Sequence, residues 1–295
     1  MIFLWSTVAR YSGILQGRNE VAAGQGLDWL ITPATYLLSI LFVFWYSGLT
    51  VVNVLICLVF ALLVSSVIGR LKVGVLTDKT VSAAYAIGEW RSSWLSFTLI
   101  QTISVLNLRA PIFLLFILGS EADAGVFRVA DSIGQFLSVI LIVVNVVIGP
   151  RIAAYYSAGN LTDLQRLARN SARVAFAACL LGTIAFFLVG EWLIRLVFGD
   201  EFIRAYGVVL ILAVGQLVNT FCGSVGLILS MTGHERKIIG MWACSLLLNV
   251  AIGFFLIPAL GAEGAAVGVL VGMIAWNVML LSYTWRQLEI KVSVL

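Results

Sequence analysis

Apolar runs of membrane-crossing length alternate with short polar breaks along nearly the whole chain. Eight spans are predicted, over 28–46, 50–68, 93–119, 124–148, 174–198, 205–231, 238–257 and 265–285. Each meets or approaches the ~20 residues that cross a bilayer core as a helix. The breaks differ in charge. One set of ends carries Arg10 and Arg18; Arg70, Lys72, Lys79 and Arg91; Arg151, Arg166, Arg169 and Arg173; Arg236 and Lys237; Arg286 and Lys291. The opposite ends carry Glu121, Asp123, Asp200, Glu201 and Glu263, with Arg204 the one base nearby. The positive-inside rule makes the basic ends cytoplasmic, so the C-terminus is expected inside, in a polytopic inner-membrane protein.

Composition narrows the class further. With 61% hydrophobic and 11% charged residues, the chain lies outside the range of soluble domains. A net charge of +4 would admit nucleic acid as a partner, but the bases sit at membrane edges, where topology and anionic headgroups account for them. No nucleic-acid partner is expected. Cys57, Cys179, Cys222 and Cys244 all fall inside spans without a C-x-x-C pair, suggesting neither disulfides nor zinc. His234, in the turn Gly233-His234-Glu235-Arg236, reads as a solvated loop residue. No metal, cofactor or catalytic residue is expected.

Residues 1–16 are apolar but too short to cross, lack a charged n-region, and run into the polar Gly17-Arg18-Asn19-Glu20. They read as the back half of a helix, or as a short interfacial or re-entrant segment, not as a signal peptide. Residues 13–72 and 226–288 share an order of features: a helix tail, a charged turn, two spans with a tight outer turn, and a closing arginine, Arg70 or Arg286. That is the weak hydropathy repeat of transporters built from duplicated halves. On equal halves, the first lacks roughly 120 residues at its start. The expected organisation is a remnant of an N-terminal lobe over 1–70, a polar cytoplasmic linker over 71–91, and a six-span C-terminal lobe over 92–295.

Three spans carry polar faces that acyl chains would not tolerate. In the fourth, Arg128, Asp131, Gln135, Ser138 and Asn145 fall within about a 100° arc at helical spacing. In the third, Thr98, Thr102 and Arg109 share a narrower arc, and in the sixth so do Gln216, Asn219, Gly223, Gly226 and Ser230. Arg109 lies too deep to reach the interface easily. Asp131, on the next and antiparallel span, differs from it in depth by only about 4 Å. An Arg109–Asp131 ion pair is therefore one expectation. The other is that Arg109 and Arg128 offer a fork of donors to a diphosphate.

Pro111 should kink its span and free carbonyls there, whereas Pro150 and Pro258 are expected to end helices. The small faces Gly223, Gly226, Ser230 and Gly264-Ala265-Ala266-Val267-Gly268 read as close helix packing. Between Tyr155 and Arg173, a cap at Asn160 or Thr162 followed by Leu164, Leu167, Arg166, Arg169 and Arg173 predicts a short amphipathic helix at the inner membrane surface.

From Asn107 onward the chain resembles the bacterial O-antigen and exopolysaccharide repeat-unit flippases of the MATE-like multidrug/oligosaccharidyl-lipid/polysaccharide (MOP) exporter superfamily. The residues that carry this include Leu108-Arg109-Ala110-Pro111, Val126-Phe127-Arg128-Val129-Ala130, Asn145-Val146-Val147-Ile148-Gly149-Pro150, Phe198-Gly199-Asp200-Glu201-Phe202, Gly215-Gln216-Leu217-Val218-Asn219, Met231-Thr232-Gly233-His234-Glu235-Arg236, Leu256-Ile257-Pro258, Gly264-Ala265-Ala266 and Trp276-Asn277. The resemblance implies an all-α integral membrane fold of two six-helix lobes around a central cavity, with this chain holding a complete C-terminal lobe and part of the other. It implies a flippase, not an enzyme. The cargo would be an oligosaccharide repeat unit on a polyprenyl diphosphate carrier, and the partners membrane lipids and the polysaccharide polymerase machinery. The cavity set expected on these grounds is Arg109, Arg128, Asp131, Gln135, Asn145, Gln216 and Asn219. A drug exporter of the same fold, a polymerase or ligase acting on the same carrier, and an inactive remnant are the rival readings.

Overall fold

Every regular element among the described residues is helical, as backbone amides in hydrocarbon demand: they have no water to bond and must be satisfied within the segment. The computed structural model describes residues 2–18, 20–48, 50–76, 87–288 and 293–294. Eight helical segments in it are long and apolar enough to cross a membrane. The chain forms two compact units, Met1–Tyr85 and Ala86–Leu295.

In the first unit, α1 (Ile2–Gly17) packs on α4 (Val51–Leu76). Val8, Leu15, Leu27 and Leu62 form the buried core. The backbones approach closely, since a Cβ at Gly69 would lie 2.8 Å from the Tyr11 side chain. The helix expected at the start spans Ile2–Gly17 and has a packed face. Between them, α2 (Val21–Gly26) and α3 (Thr32–Ser47) are joined by a π-helical turn, Leu27–Ile31, so the first predicted span starts at Val21 and not at Asp28. Pro33, which has no N–H to return to the preceding turn, sits just past this re-registered ladder. The Thr32 hydroxyl donates to the Leu27 carbonyl at 2.7 Å and pairs with the Ser65 hydroxyl at 2.8 Å, which holds the π turn against α4.

The second unit comprises α5 (Ile87–Leu118), α6 (Glu121–Ser157), α7 (Leu161–Phe198), α8 (Ala205–Cys222), α9 (Val225–Met231), α10 (Glu235–Leu260) and α11 (Ala262–Leu288). The stretch 71–91, expected as a linker, is helical at both ends because α4 runs to Leu76 and α5 starts at Ile87; residues 77–86, Lys79 among them, lie outside the described residues, as does Lys291. The acidic end is stitched by one carboxylate. Asp123 receives Arg204 at 3.0 Å and the Ser120 hydroxyl at 2.6 Å, while Ser120 caps α6 by accepting from the Asp123 amide. The Asp123 carboxyl also lies against Gly261, whose φ of +56° and missing side chain let the α10–α11 turn pass: a Cβ there would sit 2.9 Å from it.

Two expectations about helix ends fail. Pro150 lies inside α6, which runs on to Ser157, whereas α10 does end just past Pro258, at Leu260. A proline removes one bond and bends a helix, but neighbouring helices can hold the chain helical through it. The predicted surface helix near 161–173 is likewise the start of the unbroken 38-residue α7, capped by Asn160, whose side chain accepts from the Asp163 amide at 3.1 Å. Conversely the sixth span, expected as one helix over 205–231, is broken. Gly223 takes φ +75°, its N–H donates to the Asn219 and Thr220 carbonyls, and α9 starts two residues later.

The small face of α11 packs as expected. A Cβ on Gly264 would lie 2.6 Å from the Leu256 carbonyl, one on Gly268 2.8 Å from that of Asn249, and one on Gly272 3.0 Å from that of Ser245. These are backbone atoms that cannot swing aside. Gly264→Val should therefore lower the thermal midpoint of the detergent-solubilised protein, with an overpacking cost of about 1–3 kcal/mol. Gly240→Ala, at a helical position with open space around it, should leave the midpoint unchanged or raise it.

Candidate functional site

The expected site residues divide into two groups, plus one residue that joins neither. The first group forms on α5 and α6. Asp131 Oδ2 accepts from Arg128 Nη1 at 3.3 Å and from Gln135 Nε2 at 2.8 Å, so the carboxylate is held by side chains three residues before and four after it on the same helix. This corrects the expected Arg109–Asp131 pair. Arg109 forms no ion pair among the described residues. The local spacing wins because the i−3 and i+4 partners need no interhelical approach. Depths are nonetheless matched. Arg109 stands nine residues before the end of α5 and Asp131 ten after the start of α6, or about 13 and 15 Å from the acidic end.

Exposure gives this group its character. The Asp131 side chain is only 13% exposed, whereas the guanidinium it holds belongs to a side chain 52% exposed. Arg109 and Gln135 are exposed as well. Two guanidiniums and an amide therefore stand on the surface of unit 2 about 10–21 Å from the acidic ends of helices of membrane-crossing length, over a carboxylate that offsets one of the two charges.

The second group is made of amides. Asn219 on α8 donates toward Gln216 Oε1 at 3.5 Å and accepts from Asn277 of α11 at 3.2 Å, whose amide also donates to the Met273 carbonyl at 2.9 Å. Asn219 also lines a cavity of about 240 Å³ with Ser104, Asn107, Trp242, Asn249 and Trp276. Across it α5 and α10 exchange bonds: Asn107 Nδ2 donates to the Trp242 carbonyl at 3.2 Å, and Asn249 Nδ2 donates to the Asn107 carbonyl at 3.4 Å. Pro111 explains the second bond. It has no N–H to give the carbonyl four residues back, which is that of Asn107, so the carbonyl expected to be freed is taken by Asn249. Trp242 and Trp276 meet edge-on, with centroids 4.6 Å apart, and the Trp242 indole N–H is buried without a partner among the described residues.

Gln216 and Asn219 thus belong to an amide network, not with the arginines. Asn145 joins neither: it lies fourteen residues beyond Asp131 on α6, about 21 Å along the axis, with Oδ1 buried and without a partner among the described residues. Sequence reasoning missed Asn107, Asn249 and Asn277. Their signal was present, since an amide in mid-span needs a partner whichever way it faces, but arcs drawn one helix at a time do not reveal amides that pair between helices.

No protein-family model and no curated protein matches the chain. Solved structures do. A Vibrio cholerae MATE transporter superposes with a TM-score of 0.83 at 16% identity, over 96% of this chain and 66% of its own. An outward-facing multidrug resistance MATE family transporter of the MOP superfamily gives 0.79 at 16% identity, over 95% and 65%. A MOP superfamily transporter from Pyrococcus furiosus, whose binding pocket is of reverse polarity, gives 0.73 at 16%, over 95% and 65%. The chain thus spans about two thirds of the length of the structures it matches. Its fold is that of the MATE-like helical membrane transporters.

The amide network carries a measurable coupling. In a double-mutant cycle of Asn219→Ala and Asn277→Ala, monitored by reversible unfolding in mixed micelles, the interaction energy should be about 0.6 kcal/mol and no more than about 1.7. A cycle pairing Asn219→Ala with Asn145→Ala should show none.

Proposed function

We propose that this chain is all or part of a flippase that moves polyprenyl-diphosphate-linked oligosaccharide repeat units across the bacterial inner membrane, for O-antigen or exopolysaccharide assembly. One observation carries the reading: Arg109 and Arg128 stand exposed on neighbouring membrane-length helices, about 13 and 10 Å from their acidic ends, with Asp131 the only ion-pair partner of either among the described residues. Charges that far into a bilayer mark a hydrated route and not a lipid-facing wall. Guanidinium suits phosphate oxygens, which it can grip with two parallel N–H donors.

In this mechanism the diphosphate enters a wet chamber bounded by the exposed face of unit 2 while the polyprenyl tail stays in lipid. Arg128 is paired yet half exposed, so the more highly charged diphosphate can displace Asp131 and recruit Arg109 from the adjacent helix. Gln135, which donates to the same Oδ2, keeps Asp131 in place during the exchange. Protonation of Asp131 alters its hold on Arg128 and so couples proton movement to release. Rocking between inward-open and outward-open states then carries the head group across. The basic ends face the cytoplasm in this reading, and the polymerase that consumes the repeat unit works at the acidic ends.

A MATE-type ion-coupled drug exporter shares the fold, and one structural neighbour is a multidrug resistance transporter. Cationic drugs, however, would meet a face with a surplus of positive charge. The polymerase or ligase reading needs a catalytic loop, and the described connections at the acidic end of unit 2 are short: 119–120, 199–204 and 261.

Removing one charge-assisted contact to phosphate costs about 1.5–3 kcal/mol. In cells depending on this protein, Arg109→Ala and Arg128→Ala should therefore weaken export of lipid-linked repeat unit by about 10- to 100-fold, read as surface polysaccharide at equal protein levels. Wild-type surface polysaccharide in both variants would remove the arginines from the reaction. Purified protein that binds cationic dyes but no lipid-linked sugar would favour the drug exporter.

A further inference from the structure

The first turns of α7 place Arg166, Arg169 and Arg173 within about a 60° arc, over about 10 Å of helix. With Thr162, Gln165 and Asn170 they line a cavity of about 550 Å³ at the basic end of unit 2. Charge is only partly matched there. Arg166 faces Asp163 at 3.6 Å, and Arg173 donates its Nε to the Val294 carbonyl at 3.1 Å, a bond that leaves its charge in place. Arg169 Nε is sealed from solvent with no acceptor among the described residues. A buried donor left unsatisfied is costly.

The cavity continues into a second one. Arg166 and Asn170 also line an apolar groove between α6 and α7, of about 550 Å³, floored by Val143, Val144, Val147, Ile148, Leu167 and Val174. From Asn170 it descends along both helices toward the bilayer interior. Val143 and Val147, more than half or about half exposed, belong to its wall. A groove of this make-up beside an arginine cluster fits one class of molecule, with an anionic phosphodiester at one end and an acyl chain at the other.

We propose that α6 and α7 form a binding site for an acidic phospholipid of the phosphatidylglycerol type. Its phosphate is held by Arg166, Arg169 and Arg173, and one acyl chain lies in the Val143–Val174 groove. Charge complementarity selects the headgroup, and the continuity of groove and cavity selects a lipid over a free anion. The site requires only that these helices cross a bilayer, so it does not depend on the cargo proposed above. Bound there, the lipid would tie the start of α7 to the end of α6 across their three-residue connection, 158–160.

The test uses the full chain in detergent with phosphatidylglycerol or phosphatidylcholine added, read by thermal midpoint and by native mass spectrometry of retained lipid. Phosphatidylglycerol should raise the midpoint by several degrees over phosphatidylcholine and remain bound. The triple variant R166Q/R169Q/R173Q should lose that preference, with retained lipid falling about tenfold. R151Q/R236Q/R286Q, which removes the same charge elsewhere on the basic end, should keep it. Should the first triple variant fail to fold, Val147→Trp decides: it leaves the arginines and fills the groove, and should abolish retention. Retention surviving in either the arginine triple or the tryptophan variant overturns the site. So does an equal midpoint rise with inorganic phosphate alone, or equal losses in the two triple variants.

Discussion

An amide or guanidinium placed inside hydrocarbon must find a partner or line water, because each unsatisfied group there costs several kcal/mol. That constraint organises the second unit. Its buried Asn249 and Asn277 and half-buried Asn107 and Asn219 bond across α5, α8, α10 and α11, and the glycines of α11 bring its backbone against α10 where this happens. Gly268 meets the Asn249 carbonyl, so the residue that lets the helices close is beside the one that bonds onward to α5. Close packing and amide pairing are one arrangement.

Its charged groups answer the same constraint differently. Asp131 is nearly covered and held from both directions along its own helix, while the two arginines stay exposed. A closed ion pair would have hidden all of them. The arrangement leaves guanidinium surface at membrane depth, which is stable only where water or an anion can reach it. The acidic end follows a third solution, in which Asp123 satisfies Arg204 and Ser120 and shapes the Gly261 turn at once.

The contrast between α6 and α8 shows how a helix is continued or broken. Pro150 lacks a donor but needs no unusual dihedral, and α6 passes through it. Gly223 keeps its donor yet adopts a positive φ, and α8 stops there. Composition favours the opposite guess in both cases, because proline is the residue known to break helices. What decides is whether surrounding helices hold the backbone in its ladder.

Eight spans, the clustering of bases at alternate ends, the capping role of Asn160 and the close-packed face around Gly264 and Gly268 were all legible in the chain, because hydropathy, charge and side-chain size act locally or with helical period. So was the freed carbonyl before Pro111. Its acceptance of Asn249 was not, since residues 142 positions apart share no local signal. Periodicity puts Arg128, Asp131 and Gln135 on one face but cannot say that Asp131 turns to its own helix and leaves Arg109 open. Tertiary structure settled those choices, because each depends on which of several partners, equally near in depth, lies within hydrogen-bonding distance once the helices have packed.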